Sequence, residues 1–226
     1  MAGIKQSEVC VVLPAFNEEK NISRVVGEIR SLGYFVLVVD DGSEDKTALE
    51  ANKSGAEVLI ADRNQGKGAA LQRGFRWFLE HDYEALVMMD ADGQHDPKEI
   101  ELFLNALNEE NGDFIVGNRM KNPEGMSFIR VLTNRFMSWL ISQIARQEIP
   151  DSQCGYRAAR REVLKSMHLS TTRFETESEM LLEASRLGFR ISSVPIRSVY
   201  ADETSHIRPI RDTLRFFNFL FRYLIR

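Results

Sequence analysis

The chain has 226 residues, of which 43% are hydrophobic and 27% are charged, a composition typical of a globular protein that is long enough to bury a core. Its 29 Lys and Arg against 33 Asp and Glu give a formal net charge of −4. We expect no nucleic-acid partner, because phosphate backbones are bound by an excess of basic residues. The two cysteines, Cys10 and Cys154, are too few for a disulfide framework.

Neither a leader nor a membrane span is predicted. No apolar run of signal-peptide length precedes the first predicted strand. The longest apolar stretch, residues 216–225, is interrupted by Asn218 and Arg222 and is far shorter than the roughly 20 residues that a spanning helix needs. We therefore expect a cytoplasmic protein, or one held on the surface of a membrane.

The first half of the chain alternates short apolar runs with amphipathic stretches. The apolar runs predict five strands, at residues 9–15, 35–40, 57–61, 85–90 and 113–117. The amphipathic stretches predict four helices between them, at residues 18–31, 45–54, 68–81 and 97–108. Strands that are apolar throughout are typical of a sheet covered by helices on both faces. Repeated strand–helix units therefore predict an α/β fold with a mostly parallel sheet.

The second half has a different pattern. Residues 126–145 form a long amphipathic stretch, and residues 147–157 are polar and predicted to be irregular. The pattern then predicts a helix, two short strands and a basic, aromatic helix, at residues 177–187, 190–194, 197–200 and 208–226.

Three of the predicted strands end in acidic, polar segments. These segments are PAFNE at residues 14–18, DDGS at 40–43 and DADGQ at 90–94. In open parallel sheets, ligands bind beyond the carboxyl ends of the strands. A single Asp there is often only a helix cap, but several acidic residues on one rim repel one another unless a cation or a hydrogen-bonding ligand lies between them. The pattern therefore indicates a ligand site at this edge.

Asp90 and Asp92 are spaced to present two oxygen ligands to one Mg²⁺ or Mn²⁺, and Gln94 adds a neutral oxygen. Such an ion would bridge a nucleotide diphosphate and stabilise its charge as it leaves. Other nucleotide motifs fail: the GxGxxG pattern that starts at Gly66 has Leu71 in place of its third glycine, and no GxxxxGK[ST] sequence occurs. A dinucleotide enzyme and a P-loop NTPase are therefore not supported.

Five motifs occur along the chain in a set order. They are PAFNEE (14–19), VVDDGSEDKT (38–47), NQGKGAALQRGF (64–75), MDADGQHDP (89–97) and GNRM (117–120). Together they resemble family 2 glycosyltransferases, and are most similar to the branch that contains dolichyl-phosphate mannose synthases and bacterial polyprenyl-phosphate glycosyltransferases. The resemblance covers about residues 8–206 and implies the GT-A fold, a Rossmann-like, mostly parallel sheet flanked by helices. It divides a single domain, 1–226, into a nucleotide-sugar-binding half at about 8–120, an acceptor-side half at about 121–207 and an amphipathic C-terminal helix at 208–226.

The resemblance also assigns roles to residues of these motifs. It assigns to the nucleotide-sugar site Pro14, Phe16, Glu18, Val39, Asp41, Lys67, Asp90, Ala91, Asp92, Arg119 and His206. Asp41 would hydrogen-bond the base, and Arg119 would pair with oxygens of the diphosphate. Asp90, Asp92 and Gln94 would hold Mg²⁺ or Mn²⁺.

Residues 151–157, DSQCGYR, resemble the acceptor-side motif of the same branch. Asp151 therefore joins Asp92 and Arg119 as a candidate catalytic residue. With a hydroxyl acceptor, Asp151 would be the base; with a polyprenyl phosphate, whose oxygen is already ionised, it would position the acceptor or the metal. A turn with a helix-capping Asp is the competing interpretation.

Two residues of the donor site have alternative interpretations. Lys67 either reaches the phosphate groups or is a solvated loop lysine. His206 stands where mannose synthases carry the Lys of a Gly-x-Ser-Lys sequence, and it either meets the diphosphate as an imidazolium or lies on the surface. This departure leaves the donor open between GDP-mannose and a UDP-sugar.

Arg211, Arg215, Arg222 and Arg226 share one face of the predicted C-terminal helix, and aromatic and leucine residues fill most of the rest. This pattern is typical of a helix that lies on anionic lipid. It also fits a helix that packs on its own domain or on a second copy in a homodimer. Residues 126–145 are a second candidate for a lipid-facing surface, with core packing as the alternative.

We therefore predict an inverting, metal-dependent glycosyltransferase that moves one sugar from GDP-mannose or a UDP-sugar to a polyprenyl or dolichyl phosphate at the cytoplasmic face of the membrane. Three alternatives stay open. They are a family 2 enzyme that acts on a soluble glycan or protein hydroxyl, a nucleotidyltransferase that makes the sugar nucleotide, and a non-catalytic, membrane-associated subunit that binds a nucleotide sugar.

Overall fold

The computed structural model describes residues 3–109, 112–123, 125–197 and 209–225. The strands within these residues are β1 Val9–Ala15, β2 Phe35–Asp40, β3 Glu57–Ile60, β4 Ala85–Met88, β5 Phe114–Asn118, β6 Arg157–Arg160 and β7 Ile191–Pro195. They form one sheet in the order β3-β2-β1-β4-β6-β5-β7. All neighbouring strands are parallel except at β6, which runs antiparallel to β4 and β5. The mostly parallel sheet predicted from the sequence is confirmed.

Helices connect most of the strands. They are α1 Ile22–Ser31, α2 Thr47–Lys53, α3 Lys67–Leu79, α4 Ile100–Asn108, α5 Phe128–Ala145, α6 Arg161–Ser166, α7 Glu175–Arg186 and α8 Pro209–Leu224. Single 3₁₀ turns lie at Gln6–Glu8 and Pro97–Glu99. No helix in the described part of the chain is both long and apolar enough to cross a membrane.

The core forms where the predicted apolar patterns meet. The residues of β1 from Val9 to Leu13 are all fully buried, because helices cover both faces of the sheet. The helical spacing predicted for α1 is confirmed, since its apolar residues Ile22, Val25, Val26 and Ile29 are buried. Burying each such side chain contributes about 1.5–3 kcal/mol to the free energy of folding. On α3, a Cβ at Gly74 would lie 2.8 Å from Val12 Cγ1, so the absence of a side chain there lets the helix backbone approach the sheet.

The second half differs from the sequence prediction at β6. Residues 147–157 were predicted to be irregular, yet Arg157 begins β6, and α6 follows that strand directly. The strand has the sequence RAAR, in which no apolar run is visible because an arginine stands at each end. The predicted strand at 197–200 falls mostly outside the described residues, and Arg197 itself is not in a strand.

The antiparallel direction of β6 determines which loops meet. The carboxyl ends of β1, β2, β4, β5 and β7 lie at one edge of the sheet, because these strands run in the same direction. Since β6 runs the other way, its first residue, Arg157, pairs with Met88 and Val116 near that edge. The segment 151–156 therefore enters the sheet beside the acidic segment that follows β4.

Candidate active site

The loops that follow β1 and β2 are hydrogen-bonded to each other. Asn17, whose backbone has a left-handed conformation (φ 57°), donates its N–H to Ser43 Oγ at 2.9 Å. Glu18 donates its N–H to Thr47 Oγ1 at 2.7 Å. Phe16, directly before these two residues, stays 37% exposed, so its ring presents an apolar surface at this edge of the sheet.

Asp41 connects this region to the start of α3. Its carboxylate accepts hydrogen bonds from the backbone N–H groups of Gln65 (3.0 Å) and Gly66 (2.6 Å). Burial raises the pKa of Asp41, although the N–H groups and the nearby Arg73 oppose this effect. Asp41 therefore fixes the loop that leads directly into Lys67.

The other residues assigned to the site by sequence differ in burial, and one of them is not described by the structure. Val39 is fully buried within β2, and Ala91 is buried directly after Asp90. Pro14 is partly buried at the end of β1. His206 lies outside the residues that the structure describes.

Lys67 lies between two carboxylates at the centre of the edge. Its Nζ is 2.5 Å from Asp90 Oδ1 and 2.7 Å from Glu177 Oε1. Burial alone would lower the pKa of Lys67, but the two carboxylates outweigh it and hold that pKa above its ordinary value. Lys67 is thus a charged, paired residue of the site rather than a solvated loop lysine, and Glu177 is a partner that the sequence analysis missed.

Asp90 and Asp92 lie close enough to influence each other. Burial would raise the pKa of Asp90, but Lys67, His95 and Arg119 hold it below its ordinary value. Burial and the charge of Asp90 raise the pKa of Asp92 to about 6. Asp92 also accepts the N–H of Gln94 at 2.9 Å. Two adjacent carboxylates that repel each other fit a divalent cation, because Mg²⁺ is usually held by one or two carboxylates together with substrate phosphates.

Arg119 and Asp151 form a buried ion pair. Arg119 donates from Nε and Nη2 to the two carboxylate oxygens, at 2.8 and 2.9 Å, and its backbone N–H donates at 3.0 Å. Asn134 adds a fourth hydrogen bond at 2.7 Å. Asp151 is fully buried, and burial would raise its pKa, but Arg119 and Asn134 hold that pKa below its ordinary value. Asp151 is therefore ionised and already accepts four hydrogen bonds, a geometry that orients the Arg119 guanidinium.

A polar stripe on α5 supports this pair, and sequence reasoning missed it. Ser138 Oγ lies 2.9 Å from Asn134 Oδ1 and accepts the N–H of Ser152 at 2.8 Å. Ser142 follows one turn later and accepts the N–H of Ile149 at 3.0 Å. The signal was present in the sequence, because Asn134, Ser138 and Ser142 are spaced four residues apart and therefore share one face of the helix.

The sheet and its flanking helices have the fold of GT-A glycosyltransferases. The family model described as "Glycosyl transferase family 2" matches residues 10–167. The chain belongs to this family.

Comparison with known proteins adds two relatives and one structure. The UDP-N-acetylglucosamine–dolichyl-phosphate N-acetylglucosaminyltransferase of Methanococcus voltae is 31% identical over 217 residues, covering 86% of each chain. The undecaprenyl-phosphate mannosyltransferase of Micrococcus luteus is 33% identical over 205 residues, covering 84% of this chain and 83% of the relative. Glucosyl-3-phosphoglycerate synthase from Mycobacterium tuberculosis, solved with Mn²⁺, UDP and phosphoglyceric acid, has the same fold, with a TM-score of 0.71 and 24% identity over 92% of this chain and 74% of that one.

The Arg119–Asp151 pair leads to a prediction about stability. Asp151→Asn should lower the free energy of unfolding by about 3–5 kcal/mol, because it leaves the Arg119 charge buried without its counter-ion. Urea unfolding at pH 7 measures the change. Since the folded pKa of Asp151 is depressed, the difference between wild type and variant should shrink as the pH falls below about 4.

The matched control is Glu28→Gln, which removes a carboxylate from the exposed Arg24–Glu28 pair (3.2 Å). An exposed pair of this kind contributes less than about 1 kcal/mol. If Asp151→Asn changed stability no more than Glu28→Gln does, the buried Arg119–Asp151 pair would contribute no more than an exposed pair, and the prediction would be contradicted.

Proposed function

We propose that this glycosyltransferase moves one sugar from a nucleoside diphosphate sugar, GDP-mannose or a UDP-sugar, to a polyprenyl phosphate at the cytoplasmic face of the membrane, with inversion at the anomeric carbon. The names of the two relatives support the acceptor, since both act on polyprenyl-type phosphates by name. The Mn²⁺ and UDP bound by the M. tuberculosis structure support the donor and the metal.

The state of Asp151 is the observation that carries the choice of acceptor. A hydroxyl acceptor needs a base, whereas a phosphate acceptor is already ionised at neutral pH. Asp151 is fully buried, ionised and occupied by hydrogen bonds from Arg119 and Asn134. We therefore assign Asp151 to positioning Arg119, and we infer an acceptor that brings its own negative oxygen.

In this proposal the residues at this edge of the sheet contact different parts of the donor. Phe16, Glu18 and Asp41 lie at the nucleoside end, while Lys67 and Arg119 lie beside Asp90 and meet the diphosphate. An oxygen of the polyprenyl phosphate attacks the anomeric carbon, and the bond from that carbon to the diphosphate oxygen breaks. The Lys67 ammonium and the Arg119 guanidinium stabilise the charge on the leaving diphosphate.

Asp90 and Asp92 would hold the Mg²⁺ or Mn²⁺, and the amide of Gln94 completes the proposed donor set. The ion would supply electrostatic stabilisation of the leaving group. Arg119 keeps its orientation through the Asp151 carboxylate, so that the guanidinium is fixed before the donor arrives.

The acceptor is tested with two lipids that differ only in the phosphate. The donor carries a label in its sugar, and Mn²⁺ is present. We expect the rate of transfer to a polyprenyl phosphate to exceed the rate to the matching free polyprenol by at least about 100-fold, because the loss of a general base slows a reaction by about this factor. The labelled sugar that is extracted with the lipid measures the product. Equal transfer to both lipids, or transfer only to a soluble glycan, would contradict the proposal.

The faces of α5 support membrane contact. One side of the helix is buried and carries Asn134 and Ser138. The opposite side carries apolar residues that are all at least half exposed: Phe128, Ile129, Leu132, Phe136 and Trp139. The exposed Arg130 and Arg135 lie on the same helix. Apolar residues mixed with basic ones favour an interfacial position on anionic lipid.

The C-terminal helix α8 has a divided surface. Phe216, Phe219 and Leu220 are buried against the protein, whereas Phe217 and Phe221 are exposed. One of the alternatives left open by the sequence, packing on the chain's own domain, therefore holds for part of this helix. We include the exposed Phe217 and Phe221 as further candidates for contact with lipid.

The double variant Phe136→Ser/Trp139→Ser tests this surface. Its binding to vesicles that contain anionic lipid should weaken by at least about tenfold, because two exposed aromatic side chains are lost from the contact. The control Leu49→Ser/Ile60→Ser removes two residues that are also exposed but lie on α2 and β3, and should bind like wild type. Co-sedimentation with vesicles measures binding, and equal binding by both variants would remove α5 from the membrane contact.

A further inference from the structure

Lys67 forms ion pairs with two carboxylates that come from different parts of the chain. Asp90 follows β4 and is a candidate metal ligand, while Glu177 lies in the first turn of α7. The three side chains are largely shielded from solvent, with exposures of 18% for Lys67, 26% for Asp90 and 12% for Glu177. One positive charge is therefore shared between the candidate metal site and a carboxylate outside it.

The backbone around Glu177 is held firmly. Arg157 donates from Nη1 to the carbonyl oxygen of Glu177 at 2.5 Å. The neighbouring Thr176 is fully buried and accepts a hydrogen bond from Thr171 Oγ1 at 2.8 Å. The side chain of Thr176 packs so closely on Gly68 that no Cβ fits there. The first turns of α3 and α7 are thus locked together, which fixes where Glu177 can hold Lys67.

Segment 151–157 closes another side of this cluster. A Cβ at Gly155 would lie 2.6 Å from Asp90 Oδ2 and 2.9 Å from Lys67 Nζ. Only a glycine leaves room here, so backbone covers the Asp90–Lys67 pair. Lys67 is confined between Asp90, Glu177 and this backbone.

We propose that Glu177 is a positioning residue that shares the Lys67 ammonium with Asp90, so that Asp90 keeps charge for a divalent cation and Lys67 stays beside the diphosphate. Without Glu177, the Lys67 ammonium would neutralise Asp90 alone, and the site would be one charge more positive. When a cation binds Asp90, Glu177 supplies the partner that keeps Lys67 in place. This inference rests on the proposed function, because it takes Asp90 as part of a metal–diphosphate site.

The test measures metal and nucleotide separately. Calorimetry gives the affinity for Mn²⁺ alone, and for UDP or GDP, whichever the wild-type chain binds, in the presence of EDTA. Glu177→Gln should weaken Mn²⁺ binding by at least about tenfold and strengthen metal-free nucleotide binding, because the site gains one positive charge. Lys67→Met should produce the opposite pair of changes.

The control is Glu175→Gln, which removes the same charge from the same turn of α7. Side chains two residues apart on a helix do not face each other, so this variant should leave both affinities close to wild type. A change of charge should alter the affinities for Mn²⁺ and for nucleotide in opposite directions. A loosened structure would instead weaken the binding of both.

The outcomes distinguish the inference from the function beneath it. If wild type binds Mn²⁺ and nucleotide but Glu177→Gln behaves like Glu175→Gln, or weakens both ligands, the inference is overturned and the proposed function stands. If wild type binds neither Mn²⁺ nor any nucleotide, the proposed function fails, and this inference fails with it.

Discussion

The site depends on one constraint: carboxylates gathered at the edge of a sheet must be paired if they are to be buried. The structure meets it with two basic residues. Lys67 lies between Asp90 and Glu177, and Arg119 lies against Asp151. Each basic residue joins segments that are distant along the chain, so the ion pairs that compensate the buried charges also connect the first half of the chain to the second. The ion pairs of the site are therefore also tertiary contacts that hold the fold together.

The antiparallel strand β6 makes those pairings possible. A parallel strand at this position would start at the opposite edge of the sheet, and segment 151–156 would enter far from Asp90. Because β6 is reversed, the segment arrives at the site edge, where Asp151 meets Arg119 and Gly155 covers Asp90. A short strand with little apolar character thus decides which residues share the site.

Sequence alone predicted the fold of the first half of the chain well. The strands β1 and β2 and the buried face of α1 follow from apolar runs and helical spacing, which are local signals. The acidic ends of β1, β2 and β4 could be placed on one rim because parallel strands end together. The five motifs gave the family, which the family model confirms.

The second half of the chain was harder to predict because its contacts are long-range and polar. Nothing local marks RAAR as a strand, and nothing marks Glu177 as the partner of Lys67, since the two residues are 110 positions apart. The roles of Asp41 and Asp151 also needed the structure. Both were considered as ligand-contacting residues, and both accept hydrogen bonds from the protein itself, Asp41 from the loop before α3 and Asp151 from Arg119.

The helix α5 joins the site to the surface. One of its sides carries Asn134 and Ser138 into the Asp151 network, and the other exposes aromatic residues. A rigid element with these two sides provides a direct structural connection between the proposed membrane surface and Arg119. This arrangement suits an enzyme whose acceptor has a charged head and a lipid tail.

The central claim is that the Asp90–Asp92 edge binds a nucleoside diphosphate sugar through a divalent cation. Calorimetric titration of GDP-mannose and of UDP-N-acetylglucosamine, each with Mn²⁺ and with EDTA, tests it most directly on wild type and Asp92→Ala. The account predicts that one donor binds with Mn²⁺, and that this binding is much weaker in EDTA. Binding should be weakened in the same way in Asp92→Ala, while that variant still unfolds at the wild-type temperature. A donor that binds equally well under all these conditions would contradict the claim.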